Sequence, residues 1–394
     1  MDASRRGDRL KLFRLLMPKK IAIVCRLAEG LSGATSMIFE HARRLKEAGW
    51  EVHVYAQLFN RRALENAGAR IHWVAGWPWG SSLKRRIFAA RADRLAGRGG
   101  HDLIHGYGDS FFQDVLSLHN CVHAAHEAVY ASPLPDNSAV GRLHARILSG
   151  EGFKKLIANS RLMKEDVVRR FAVAPEKIIV IYPGYDSKRF NAQARLRLRA
   201  QARQELGYSG DDVIFGLITS GDFIKRGVDV FLRALGILAG HKIRFKALVA
   251  GQESRLGPYL RLASDEGIAA RVRFLPPTPR VEKYYYALDV YAHPAHFEEF
   301  GISVAEALAC GLPVLANQKV GASEIMTGEA RNYLPERSGP EVLARAMEAL
   351  ALDVGLRQRL GALGLAAVRD KTWDHNFAAT HSVYKELLAA RLPP

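Results

Sequence analysis

The stretch His293-Pro-Ala-His-Phe-Glu298-Glu-Phe-Gly-Ile-Ser-Val-Ala-Glu306-Ala-Leu-Ala-Cys-Gly-Leu-Pro313-Val leads a glycine-containing loop into a short helix that stops at Gly311. Phe300-Gly301-Ile302-Ser303 brings unpaired backbone N–H groups and the positive end of the helix dipole to one point, a seat for a diphosphate. Glu298 lies in the loop before that point and Glu306 about one turn inside the helix. Carboxylates are good acceptors for vicinal sugar hydroxyls. The segment therefore predicts a site for an anionic, hydroxyl-rich ligand. Two Glu alone would more often mark a charged start to a buried Ala/Leu helix, and it is the surrounding pattern that reverses this.

Outward from this stretch, strand and helix alternate in both halves of the chain. Lys20-Ile-Ala-Ile-Val-Cys25 is an apolar run bounded by cations and a Gly/Ser loop, as expected of a buried parallel strand. Glu29-Gly30-Leu-Ser-Gly33-Ala-Thr35 then enters a helix from about Ser36 to Ala48. Gly49 stops it, and Trp50-Glu-Val-His-Val-Tyr55 returns as the next strand. This βαβ unit lacks the G-x-G-x-x-G fingerprint, so a nicotinamide or flavin role has little support. Gly30 and Gly33 would still let the backbone approach a donor phosphate or an acceptor closely.

Further strands are predicted at Ile71-His-Trp-Val74, Leu103-Ile-His105, Leu156-Ile-Ala158 and Ile178-Ile-Val-Ile-Tyr182. In the second half they are predicted at Val213-Ile-Phe-Gly-Leu-Ile218 and Phe245-Lys-Ala-Leu-Val-Ala250. The pattern implies an α/β protein of two Rossmann-like, doubly wound domains with ligands in the facing crevices. The join is placed after Pro183-Gly184-Tyr185-Asp186-Ser-Lys-Arg-Phe190. That gives a first domain over 1–190, a second over 191–374 and a helical tail over about 375–392.

A chain of 394 residues suits two domains of ordinary size. Its 48% apolar and 25% charged residues exclude a disordered or membrane-spanning class, and no run approaches a transmembrane length. Cys25, Cys121 and Cys310 are far apart and read as reduced and buried, with no disulfide framework or C-x-x-C pattern. Met1 to Lys20 lacks an apolar h-region and reads as an amphipathic surface segment, not a signal peptide.

The net charge of +17 is uneven: residues 1–190 hold 31 Lys and Arg against 18 Asp and Glu, a net +13, leaving +4 for the rest. Such a face attracts nucleic acid, anionic lipid or phosphorylated glycan. No nucleic-acid module accompanies it, so nucleic acid is not expected as a partner. Leu83-Lys-Arg-Arg-Ile-Phe-Ala-Ala-Arg91-x-x-Arg94 carries Leu83, Ile87, Phe88 and Ala90 among its cations, which suggests a membrane surface as readily as a solvated helix face.

Seven residues separate Glu298 from Glu306. With Phe300-Gly301-Ile302 between them and Ala309-x-Gly311-x-Pro313-Val after them, the stretch resembles the donor site of retaining GT-B glycosyltransferases of family 4. The resemblance implies that Glu298 contacts the transferred sugar, that the loop from Phe300 through Gly301, Ile302 and Ser303 holds the diphosphate, and that Glu306 binds the ribose diol. It also likens Gly184-Tyr185-Asp186 and Phe190 to the family's Gly-x-Asp segment, and implies a tail that crosses back to the first domain.

Ser220-Gly-Asp222-Phe-Ile-Lys225-Arg226-Gly227-Val-Asp229 sets two adjacent cations in the loop after the first strand of the second half. The family commonly has an Arg five positions before a Lys-Gly pair; here Gly221 and Arg226 stand at those places. The pair is similar, in swapped order, to that of the lipopolysaccharide core glucosyltransferases, which implies that Lys225 and Arg226 bind the donor and neutralise the leaving diphosphate. By the same resemblance Asp114 takes the place of an active-site Asp, and His119-Asn120 that of a His-Asp or His-Thr pair. Both Asp114 and His119 are thus expected to be catalytic and acceptor-binding.

The chain contains no D-x-D and no cluster with metal-ligand spacing, so no metal or cofactor is expected and protein donors must stabilise the departing nucleotide. The resemblance implies retaining transfer of a hexose, glucose above all, from a UDP-sugar. The acceptor it points to is the lipopolysaccharide core or a related anionic glycolipid, reached by a cytoplasmic enzyme peripheral on the inner face of the cell membrane. The rival readings are a sugar-nucleotide epimerase or phosphorylase of the same architecture and a non-catalytic polyanion-binding protein. The Glu pair and the paired cations together argue against lost catalysis.

Overall fold

The computed structural model describes residues 19–30, 33–77, 81–209 and 211–391. The predicted amphipathic segment before Lys20 lies outside the described residues, apart from Lys19.

The first half contributes β1 (Lys20–Val24), β2 (Leu27–Ala28), β3 (Glu51–Ala56), β4 (Leu58–Phe59), β5 (Arg70–Trp73), β6 (Leu103–Gly106), β7 (Val115–Leu118), β8 (Lys155–Ala158) and β9 (Ile178–Val180). Seven of these form one sheet in the order β5-β3-β1-β6-β7-β8-β9, while β2 and β4 pair beside the ends of β1 and β3. The second half contributes β10 (Ile214–Ile218), β11 (Lys246–Ala250), β12 (Val272–Leu275), β13 (Val290–Ala292) and β14 (Val314–Leu315), in the order β12-β11-β10-β13-β14. All pairings in both sheets are parallel. Parallel strands are covered by helices on both faces, which is why β1 after Lys20 and the whole of β10 are apolar runs with almost no exposure.

The expected architecture of two doubly wound sheets is thus present. Its topology locates the ligand site. In the first sheet the chain winds outward from β1 to β3 and β5, then returns to β6 on the other side of β1. In the second it winds from β10 to β12, then returns to β13. Ligands of such sheets lie outside the carboxyl ends of the strands at these switch points.

The strands β7, β12, β13 and β14, of four, four, three and two residues, are not among those predicted from the sequence. The predicted membrane-facing helix spans Ser81–Arg98, but its apolar stripe faces inward. Phe88, Ala89, Ala92 and Ala96 are buried, and Phe88, Ala92 and Ala96 join Ala22, Val24 and Tyr55 of the sheet. Of the apolar residues named for a membrane face, Phe88 is core, and Leu83 is the large side chain left exposed. Among the described residues no helix is long and apolar enough to cross a membrane. All three cysteines are free and buried.

The final helix, Trp373–Ala389, lies against the first sheet. The Tyr384 hydroxyl and His105 Nδ1 are 2.6 Å apart, and Asn376 Nδ2 donates to the Tyr182 carbonyl at 2.8 Å. The chain crosses between the sheets twice side by side, since Tyr185 bridges Thr372 and a Cβ on Gly184 would stand 2.4 Å from the Trp373 nitrogen.

Candidate active site

The helix Ile302–Ala309 begins at Gly301, whose φ of +95° is open to glycine and strained for other residues. This turn leaves the N–H groups of Gly301, Ile302 and Ser303 without backbone acceptors among the described residues. Phe300 is buried and stacks on Tyr182 of the first half, 5.7 Å between centroids, which holds the loop from behind. The turn therefore gathers these three unpaired backbone donors at the positive end of a helix dipole, an arrangement suited to an anion.

Glu298 is buried beside this seat. Arg226 Nε lies 2.9 Å from its Oε2, and His293 Nε2 lies 3.3 Å from the same oxygen. Burial opposes ionisation, yet Arg226, His293 and Lys225 outweigh it and hold the carboxyl below its ordinary range. Arg226 keeps its buried Nη1 free of any partner among the described residues. Gly227, with φ +65°, is required next to it because a Cβ there would meet the Pro294 carbonyl oxygen at 2.2 Å.

Lys225 is drawn to a residue the sequence does not single out. Its Nζ donates to both carboxylate oxygens of Glu299, at 2.8 and 3.0 Å, and Glu299 Oε1 also accepts the Cys121 N–H at 3.0 Å. Glu299 thereby spans the cleft, from the loop after β10 to the start of the helix Val122–Tyr130. Glu324 makes a second span, accepting the N–H groups of Arg161 and Leu162 at the start of the helix Arg161–Phe171. Both are carboxylates placed on helix N-termini, where the macrodipole favours them.

Glu306 accepts a hydrogen bond from the Tyr285 hydroxyl at 2.7 Å. Burial pushes its pKa up to about 7, opposed by Tyr285 and Arg189 and assisted by the charges of Asp186 and Glu282. It is thus a carboxylate poised to change charge near neutral pH.

On the other wall, a Cβ on Gly33 would stand 2.7 Å from Ile302 Cδ1, so the start of the helix Gly33–Glu47 opposes the start of the Ile302 helix. Gly30, with φ +84°, has open space about it. His119 follows the carboxyl end of β7, stacked on Tyr107 at 5.3 Å, and burial lowers its pKa to about 4, leaving the ring neutral.

Asp114 is not at this site. It precedes β7, at the amino end of the sheet, where it accepts the Ile104 N–H at 2.9 Å and pairs with Lys154 at 3.0 Å and with Arg391 from the chain's tail. Its neighbours are the entrances of β6 and β7, so it is a structural anchor, and the expected catalytic and acceptor role fails on position. The acidic residue at the carboxyl end of β6 is Asp109, which accepts the Arg26 N–H at 3.0 Å and faces Arg85 at 3.8 Å. Burial raises its pKa.

Comparison with known proteins agrees with this geometry. Residues 31–189 match the family model described as Glycosyltransferase Family 4, and residues 201–364 that described as Glycosyl transferases group 1. A D-inositol 3-phosphate glycosyltransferase of Salinispora arenicola (strain CNS-205) is 28% identical over 401 residues, 92% of this chain and 88% of that protein. One of Xylanimonas cellulosilytica is 32% identical over 242 residues, 60% of this chain and 58% of its own length. Among solved structures, WaaG, a glycosyltransferase involved in lipopolysaccharide biosynthesis, superposes with a TM-score of 0.77 at 20% identity, over 95% of this chain and 100% of that one. Anabaena Alr3699/HepE in complex with UDP and glucose gives 0.76 at 17% identity, over 93% and 100%. With glycosyltransferase models matching each half and the two-sheet fold shared with solved enzymes of that kind, the chain belongs to the GT-B glycosyltransferases of family 4.

Proposed function

We propose that the protein moves glucose from UDP-glucose, with retention at the anomeric carbon and without a metal, onto a lipopolysaccharide core or related anionic glycolipid at the inner face of the cell membrane. The observation that carries the donor half is Glu298, ionised between Arg226 and His293 beside the free amides of Gly301 to Ser303. An ion-paired carboxylate is a weak nucleophile and a strong hydroxyl acceptor, so Glu298 orients the sugar. The bond from C1 to the phosphate oxygen breaks as the acceptor oxygen bonds C1 from the same face, and the acceptor proton passes to the departing diphosphate. Arg226 Nη1, Lys225 and the amides stabilise the charge that develops there. Glu306 accepts the ribose hydroxyls.

The acceptor half rests on charge. The first 190 residues carry the net +13, and a cavity of about 980 Å³ between the helices Val122–Tyr130 and Arg161–Phe171 opens beside Phe297, next to Glu298. Arg161, Lys319 and Arg337 line it, and their side chains hold no ion pair among the described residues. The inositol 3-phosphate glycosyltransferases among the relatives favour a second reading, a water-soluble phosphorylated polyol as acceptor.

A thermal-shift screen over UDP, GDP and ADP sugars tests the donor, since bound ligand stabilises by mass action. Transfer from labelled UDP-glucose is then measured onto lipopolysaccharide core and onto inositol 3-phosphate, with and without anionic vesicles, and the product anomer is read by NMR. Stabilisation by UDP-glucose and vesicle-dependent transfer to the core are expected. Vesicle-independent transfer to inositol 3-phosphate would replace the acceptor assignment, and an inverted product would end the retaining one.

A further inference from the structure

Behind His119 lies a small cavity lined by residues that include His41, Ser117, His119, Asn159, Asn376 and Thr380. Its free volume of about 10 Å³ is at the size that admits one water. His119 Nε2, Asn159 Oδ1 and Thr380 Oγ1 are all buried on it with no hydrogen-bond partner among the described residues. The other polar groups on its wall are satisfied: His41 by Tyr107 and Asn376, each at 2.7 Å, and Ser117 by His105 at 2.8 Å. The three unpartnered atoms come from three separate parts of the chain, the end of β7, the segment after β8 and the C-terminal helix. An unmet buried polar atom costs about 1–3 kcal/mol. One water, with two hydrogens and two lone pairs, meets all three.

We propose that a single buried water joins His119, Asn159 and Thr380, and that through it the C-terminal helix fixes the tautomer of a ring in the transfer site. Asn159 Oδ1 can only accept, so the water donates to it. The water accepts from His119 Nε2–H and donates its second hydrogen to the Thr380 hydroxyl. Were Thr380 the donor, the water would donate to Nε2 and the ring proton would sit on Nδ1, an outcome the ring nitrogen shifts would reveal and that would overturn the proposal. With the proton on Nε2, Nδ1 is the ring's acceptor, and it is not among the atoms sealed in the cavity. It is available to a hydroxyl of the sugar or of the acceptor. Thr380 and Asn159 are positioning residues, far in sequence from the donor motif. The proposal rests on the reading of His119 as a residue of the transfer site.

The test uses the full chain with ¹⁵N-labelled histidine, comparing wild type with Thr380→Val and Thr380→Ser. Ring nitrogen shifts should report the Nε2–H tautomer of His119 in the wild type and a mixture in T380V. The kcat of T380V should fall roughly tenfold, the rate equivalent of one net hydrogen bond, with the donor KM within about twofold. Thr380→Ser keeps the hydroxyl and should restore both. An unchanged His119 tautomer in folded T380V would overturn the proposal, as would a high-resolution structure without a water between the three atoms. His119→Ala separates the two ideas: full activity there removes His119 from the reaction, while the tautomer result judges the water.

Discussion

Glu306 offers the sharpest test of the donor site, because one carboxyl links stability, pH and ligand binding. Its folded pKa is raised by burial to about 7 from an ordinary 4.5. Between those values the folded state holds a proton that the unfolded state has lost, so stability is fully present below pH 4.5 and falls as pH rises through 7. A shift of this size corresponds to roughly 3 kcal/mol. Glu306→Gln mimics the neutral acid and keeps a partner for the Tyr285 hydroxyl. At pH 8 the ligand-free variant should therefore be more stable than wild type, by up to roughly 6–12 °C in Tm at about 2–4 °C per kcal/mol for a domain of this size. At pH 4 the two should melt together.

Nucleotide binding should run the other way. The ribose diol donates hydrogen bonds, so it needs the ionised carboxylate. Wild-type affinity for UDP, measured by calorimetry at fixed ionic strength, should rise about tenfold per pH unit below 7 and level off above it. E306Q should bind UDP roughly 10–100-fold more weakly at pH 8, the worth of a charged hydrogen bond, and without that slope. A stabilised E306Q that binds UDP with wild-type affinity would remove Glu306 from the ribose site. A wild-type Tm equally insensitive to pH in both proteins would refute the burial argument itself.

Three further outcomes follow from the geometry. Gly33→Val should raise the donor KM by pushing Ile302 from the opposing helix start, and adding Ile302→Ala should relieve it; kinetics of the double-mutant cycle should give a coupling of roughly 0.5–3 kcal/mol, and additivity would deny the close approach. Asp114→Asn should lower stability by roughly 1–3 kcal/mol in denaturant melts, through Ile104, Lys154 and Arg391, while kcat stays within about twofold; a large kcat loss at normal stability would restore Asp114 to the active site. The Lys225→Ala/Arg226→Ala pair should cost roughly 10²–10³ in turnover, and near-normal rates would show that the amides of Gly301 to Ser303 suffice.

The candidate donor site was legible as a constellation because its parts are local. Glu298, the glycine turn and Glu306 lie on one loop and one helix, so spacing alone brings carboxylates and free amides together. Glu299 was not, since its partners Lys225 and the Cys121 N–H stand 74 and 178 residues away. Asp109 and Asp114 sit five residues apart in the sequence yet at opposite ends of the sheet. The apolar run between Asp114 and His119 gives no sign that it is a strand entered at Asp114 and left at His119. Phe88 was read toward a membrane for a related reason: an amphipathic stripe reports that a face is covered, and the covering surface here is the sheet.

The amino-acid sequence by itself determined the two alternating α/β halves, the glycine turn with free amides before the Ile302 helix and the concentration of positive charge in the first half, because these follow from periodicity, turn chemistry and composition over short spans. Only the tertiary structure decided which carboxylates reach the cleft, how Lys225 and Arg226 are partnered, and that the last helix lies behind His119. Those depend on which strand ends meet across the two sheets, and parallel crossovers bring together residues hundreds of positions apart.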